Sequence, residues 1–133
     1  MAGPAFDTVA WFQVGTTDPD AARTFYGRLF GWSFKADPNI GGGYDLITAK
    51  GAEGPTGGLA TVQDQAQHHA IFMVVVRDVA AAVKQTEELG GKVVVPPKTT
   101  DDGLVFAHLL DPAGNEFGVF TPPPTDGTKP VEA

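Results

Sequence analysis

Few residues in this chain can do chemistry. It has no cysteine and three histidines, so disulfides, thiolate nucleophiles and cysteine zinc sites are excluded, and any metal would have to use His, Asp or Glu. His68 and His69 are adjacent; in a strand they point to opposite faces and cannot chelate one ion together, so they read as an exposed strand start. His108 is an imidazole able to act as acid or base near neutral pH, and Glu116 follows it beyond a turn. Gly41-Gly42-Gly43 lacks the Lys-Ser or Lys-Thr and the following helix that a phosphate loop needs. No Gly-x-Ser-x-Gly nucleophile elbow occurs. Asp101 and Asp102 read as a solvated turn before Gly103.

The elements that must hold these residues come from a chain of 133 residues, 42% hydrophobic, long enough for one globular domain without metal or disulfide staples. A formal charge of −7 repels a phosphate backbone, so nucleic acid is not an expected partner. The start, Met-Ala-Gly-Pro-Ala-Phe-Asp, lacks a signal peptide's basic end and apolar run, and no apolar stretch approaches the ~20 residues of a membrane span. The expectation is a cytoplasmic protein with neither nucleic-acid nor membrane partner.

Residues 8–16 are β-branched and aromatic and predict a strand. Thr17 is placed to cap a following helix, with Pro19 tolerated in its first turn and Asp20 favoured there. Ala22, Phe25, Tyr26 and Leu29 recur at helical spacing as one apolar face that should pack on a sheet, and Gly31 ends the helix. Short strands follow at about 32–36, 44–49 and 57–62, with a loop over 39–43. Trp32, just past the helix, reads as core or interface. The pattern reopens with a strand over 71–76 and a helix from Asp78 whose buried face is Val79, Val83 and Leu89, stopped by Gly90-Gly91. Strands are then predicted at 92–95, 103–110 and 115–121, before a Pro-rich tail over 122–133.

Subtracting 60 from second-half positions pairs Val74 with Val14, Asp78 with Asp18, Leu89 with Leu29, Gly91 with Gly31, Gly118 with Gly58 and Thr121 with Thr61. One offset running from the first strand to the last indicates an internal repeat, read as two βαβββ units: 8–62 and 69–121, with a lead over 1–7 and a linker over 63–68.

Trp11-Phe-Gln-Val-Gly-Thr-Thr-Asp18, then Phe25-Tyr26 and Leu29-Phe-Gly-Trp32, with Val76-Arg-Asp78-Val, Leu89-Gly-Gly91 and Asp111-Pro-Ala-Gly-Asn115, resemble the vicinal oxygen chelate superfamily. That superfamily contains glyoxalase I, extradiol dioxygenases, fosfomycin-resistance transferases and bleomycin-resistance proteins. The resemblance covers residues 6–121. It implies an α+β fold in which the two βαβββ repeats form a glyoxalase/bleomycin-resistance-like half-barrel cup around a ligand cavity, and it implies a homodimer. Carried over residue by residue, the superfamily's metal-ligand positions fall on Trp11, Ile71, Gly58 and Gly118. None offers a lone pair to a cation, so no metal and no other cofactor is expected. The two glycines should leave room in the cavity, with Trp11 as a flat aromatic floor.

Side-chain alternation from those four positions adds Gln13, Met73, Glu116, Phe120 and Ala60 to the cavity lining. The resemblance adds His108 and, two residues earlier, Phe106; the offset pairs these with Thr48 and Leu46. Such a lining, mostly apolar with a few polar groups, suits a small organic ligand. The expected function is binding of a small apolar or aromatic molecule, of the sequestration or resistance type. The alternative is a metal-independent lyase- or isomerase-type enzyme with His108 as acid or base; a third reading is a metal-dependent glyoxalase or dioxygenase using His108 with Glu116.

Overall fold

A computed structural model describes residues 5–40 and 42–123; most of the predicted tail and Gly41 lie outside the described residues. The elements run β1 (Thr8–Thr16), α1 (Pro19–Phe30), β2 (Ser33–Ala36), β3 (Tyr44–Thr48), β4 (Gly57–Thr61), a 3-10 turn (Gln65–Gln67), β5 (His69–Val75), α2 (Val79–Glu88), β6 (Lys92–Thr99), β7 (Val105–Leu110) and β8 (Glu116–Thr121). The fold is α+β, each half being a strand, a helix and three strands. The chain divides into two compact units, residues 11–71 and the described residues from 72 onward together with those up to residue 10. The division falls inside β1 and inside β5.

In the unit of residues 11–71 the strand order is β2-β3-β4-β1. β1 and β4 are parallel, with Gln13 opposite Gly58 and Gly15 opposite Ala60, and β3 and β4 are antiparallel, with Leu46 opposite Gly58 and Tyr44 opposite Ala60. The helix begins at Asp18, whose carboxylate accepts from the Ala21 N–H at 3.1 Å. Thr17 is not the cap: its backbone N–H and its hydroxyl both engage His68 Nε2, at 3.1 and 3.0 Å. Gly31 closes α1 in the left-handed region, φ 74°, where glycine pays no steric cost.

The face that α1 turns to the sheet also differs from expectation. Asp45, 8% exposed, accepts from Arg23 Nε at 2.6 Å, and a nearly dry carboxylate needs that partner. Tyr26 stacks on Trp32 with ring centroids 5.3 Å apart, and Trp32 meets Phe12 at 5.4 Å. These contacts turn positions 22, 23 and 26 inward, leaving Phe25 60% and Leu29 57% exposed.

In the other unit the order is β5-β8-β7-β6. β5 and β8 are parallel, with Met73 opposite Gly118, and β7 and β8 are antiparallel, with His108 opposite Gly118 and Phe106 opposite Phe120. Alternate residues of these strands face α2, where Val76, Val79, Ala107, Leu109 and Val119 form the buried core with Ala82 and Val83 packed against it. Asp78 caps α2 as expected, but Leu89 is 70% exposed, because it is the C-cap residue and lies beyond the packed face. β6 runs on through Pro96 and Pro97 to Thr99, longer than predicted; it is an edge strand, where a missing N–H costs no ladder bond. Asp111 organises the turn into β8, accepting from Asn115 Nδ2 and from the Ala113 and Asn115 N–H groups at 2.9–3.0 Å. These bonds, those from Asn115 foremost, hold its carboxyl below the usual range.

The repeat is not uniform in register. Gln13 opposite Gly58 and Met73 opposite Gly118 keep the offset of 60, but Gly58 faces Leu46 whereas Gly118 faces His108, two residues further along. The structural counterpart of His108 is therefore Leu46, not Thr48, and that of Phe106 is Tyr44, not Leu46. β6, with its two register shifts against β7, lies in the stretch that takes up the slip.

Candidate functional site

Both units carry a sheet face that their own helix does not cover, and the predicted site residues fall there by alternation. In the unit of residues 11–71 these are Trp11, Gln13, Leu46, Thr48, Gly58 and Ile71. They share the face with Tyr44 and His69, which sequence reasoning left out. Tyr44 has the same parity as Leu46 and Thr48, and His69 the same parity as Ile71, so alternation alone could have found both.

Tyr44 fills the space beside Gly58: a Cβ on Gly58 would run into the phenol ring and its hydroxyl. A Cβ on Gly15 would likewise strike the His69 ring. Gly58 is therefore not a gap, as expected, but the seat of a tyrosine. Trp11 Nε1 donates to Tyr44 Oη at 3.1 Å, and Tyr44 Oη donates to Gln13 Oε1 at 3.0 Å. Gln13 Nε2 lies 3.0 Å from His69 Nε2, and His69 Nδ1 lies 2.8 Å from the Gln67 carbonyl oxygen. The two ends fix the direction of this relay. Indole can only donate and a carbonyl can only accept, so with neutral His69 the proton sits on Nδ1 and Nε2 accepts from Gln13. Gln13 is 8% exposed. Burial, with a smaller contribution from Asp37, pushes the Tyr44 phenol up to about 12 against the opposing Trp11 hydrogen bond. His69 is thus half-buried and networked, not an exposed strand start; His68 is exposed and binds Thr17.

In the other unit Met73, Phe106, His108, Glu116, Gly118 and Phe120 share the face away from α2. The Met73 side chain covers Gly118, again where a Cβ would need to be, so here too the expected gap is filled. His108 is 6% exposed, and its Nδ1 lies 3.4 Å from Glu116 Oε2. The Phe106 ring lies beside the imidazole, centroids 5.9 Å apart.

The four positions that correspond to superfamily metal ligands do not suit a cation. Trp11 has its one N–H committed to Tyr44, Gly58 and Gly118 lie under Tyr44 and Met73, and Ile71 is a buried hydrocarbon. Among the described residues no cluster of three or more His, Asp or Glu side chains is gathered as a metal centre would require. No described helix is long and apolar enough to cross a membrane.

The glyoxalase-like domain family matches residues 11–120. The candidate glyoxylase CFP32 of Mycobacterium tuberculosis (strain CDC 1551 / Oshkosh) is 31% identical over 124 residues, 85% of this chain and 45% of that protein. The anthracycline biosynthesis protein DnrV of Streptomyces peucetius is 30% identical over 128 residues, 84% of this chain and 46% of DnrV. The chain thus spans less than half the length of these curated relatives. Methylmalonyl-CoA epimerase from Mycobacterium tuberculosis superposes with a TM-score of 0.60 at 14% identity, covering 93% of both chains. The Mn(II)-bound glyoxalase from Novosphingobium aromaticivorans does so at 0.58 and 22%, over 87% of this chain and 39% of that one. These two likenesses concern the fold alone. From the match over residues 11–120, the chain belongs to the glyoxalase-like domain family of the vicinal oxygen chelate superfamily.

Proposed function

We propose that the chain binds a planar, largely apolar or aromatic carbonyl compound on the helix-free sheet face of residues 11–71, without a metal ion. The relay Trp11–Tyr44–Gln13–His69 carries this reading: two of the superfamily's ligand positions are an indole donor and a tyrosine-covered glycine. Trp11 offers a ring face for stacking. A primary amide has two N–H groups, so Gln13, with one directed to His69, has another for a ligand carbonyl. Similarity to an anthracycline biosynthesis protein favours a polycyclic aromatic ligand. The working form is a homodimer in this reading.

The test is titration with a soluble anthraquinone, read by tryptophan fluorescence and by calorimetry. The protein has two tryptophans; Trp11→Phe should abolish the quench and weaken binding about tenfold or more, as loss of a stacking platform does, whereas Trp32→Phe should leave both. An undiminished quench and affinity in Trp11→Phe would refute the assignment.

His108 beside Glu116 supports a second reading, acid–base catalysis. A carboxylate beside Nδ1 orients the imidazole for proton transfer. His108→Gln should then abolish turnover of a bound ketone while retaining its binding; retained turnover would dismiss catalysis by this residue.

A further inference from the structure

The outer face of α1 is built like one half of an interface. Ala21, Thr24, Phe25, Arg28 and Leu29 lie on it, all exposed, at the spacing of a single helical stripe. They border an open depression of about 800 Å³, with Asp20 at its acidic end. The internal repeat provides a comparison within the same molecule. The corresponding positions of α2 are Ala81, Lys84, Gln85, Glu88 and Leu89. There the places of Thr24, Phe25 and Arg28 hold Lys84, Gln85 and Glu88, so the fold itself does not ask for an exposed phenylalanine on this face. Phe25 also makes an edge contact with Tyr26, centroids 5.1 Å apart, which holds the ring in place.

The stripe is polarised along the helix. Its N-terminal half is small and acidic, Ala21, Thr24 and Asp20; its C-terminal half is large and basic, Phe25, Leu29 and Arg28. An antiparallel two-fold pairing sets the large half of one helix on the small half of the other and brings Arg28 to Asp20 twice, once at each end. Two-fold contacts require this kind of self-complementarity. Asp20 is available for it, since its side chain is 93% exposed even while bonded to Arg23.

We propose that α1 pairs with α1 of a second copy of this chain through Phe25, Leu29 and the Arg28–Asp20 charges. This rests on the homodimer reading above and assigns its surface. A contact confined to one helix from each copy lies at the small end of stable interfaces, so association depends on protein concentration and weakens with salt.

Sedimentation equilibrium across a concentration series of the whole chain tests it, with circular dichroism to confirm folding. Leu29→Glu and Arg28→Glu should each weaken association about tenfold or more. Combining Arg28→Glu with Asp20→Arg should restore it, since the exchange remakes both charge pairs. A wild-type protein that stays monomeric to about 1 mM, roughly where weak contacts fade, overturns both the homodimer and this surface. A dimer that survives Leu29→Glu and Arg28→Glu keeps the homodimer and overturns the α1 assignment.

Discussion

Tyr44 lies over Gly58 so closely that a methyl group on that α-carbon would coincide with the phenol. Gly58→Ala should therefore destabilise the protein by roughly 1–3 kcal/mol, the usual cost of overpacking. Combined with Tyr44→Ala it should cost clearly less than the two changes summed, because each removes the other's clash or contact. Denaturant titrations of the three variants check this; strict additivity would show that the ring yields freely.

Tyr44→Phe keeps the ring but strands two groups, the Trp11 N–H and the Gln13 carbonyl oxygen. Leaving buried polar atoms unpaired costs roughly 1–3 kcal/mol. Trp11 emission should shift as its N–H loses its partner, and a variant with wild-type stability and spectrum would show that the relay is not formed in solution.

Alkaline titration addresses the same phenol. Tyr44 ionises near 12 in the folded protein, whereas an unfolded tyrosine ionises near 10. Between those values the unfolded chain binds fewer protons, so stability is intact below about pH 10 and falls as pH rises through 12, by roughly 2–3 kcal/mol in all. Absorbance titration should reveal a late-ionising tyrosinate that Tyr44→Phe removes.

Arg23 and Asp45 should be strongly coupled. The Asp45 hydrogen bond is the main reason the guanidinium's affinity for its proton rises, and Asp45 is 8% exposed. Arg23→Met leaves that carboxylate without its partner and should cost about 2–4 kcal/mol, somewhat less than a fully buried pair because Arg23 is partly solvated. Arg23→Met with Asp45→Leu should recover much of the loss. Equal stability of the single and double variants would deny the coupling.

Strand alternation, the helix-ending glycines and the constant offset of 60 made the βαβββ repeats legible, because periodicity and turn residues are local properties. What escaped was set by tertiary contacts. The rotation of α1 depends on Asp45, 22 residues from Arg23, and no helical pattern contains that information. Tyr44 and His69 lie outside the superfamily's ligand positions, and the offset of 60 conceals the two-residue slip that aligns Tyr44 with Phe106. A glycine in a strand leaves space, but at Gly58 and Gly118 the neighbour that takes up the space lies on the adjoining strand. Pro96 predicts the end of β6, yet the strand runs on to Thr99, because edge position is not a property of the residues themselves.

The amide of Asp7 donates to the Val75 carbonyl at 2.7 Å, and Arg77 sits 4.5 Å over the Phe6 ring. Residues 6 and 7, just ahead of β1, are thus fastened to the end of β5 and the residues after it. A reporter split between residues 62 and 63 would leave its trailing fragment without this strap, so such a pair would measure mutual reassembly and not the folding of either piece alone.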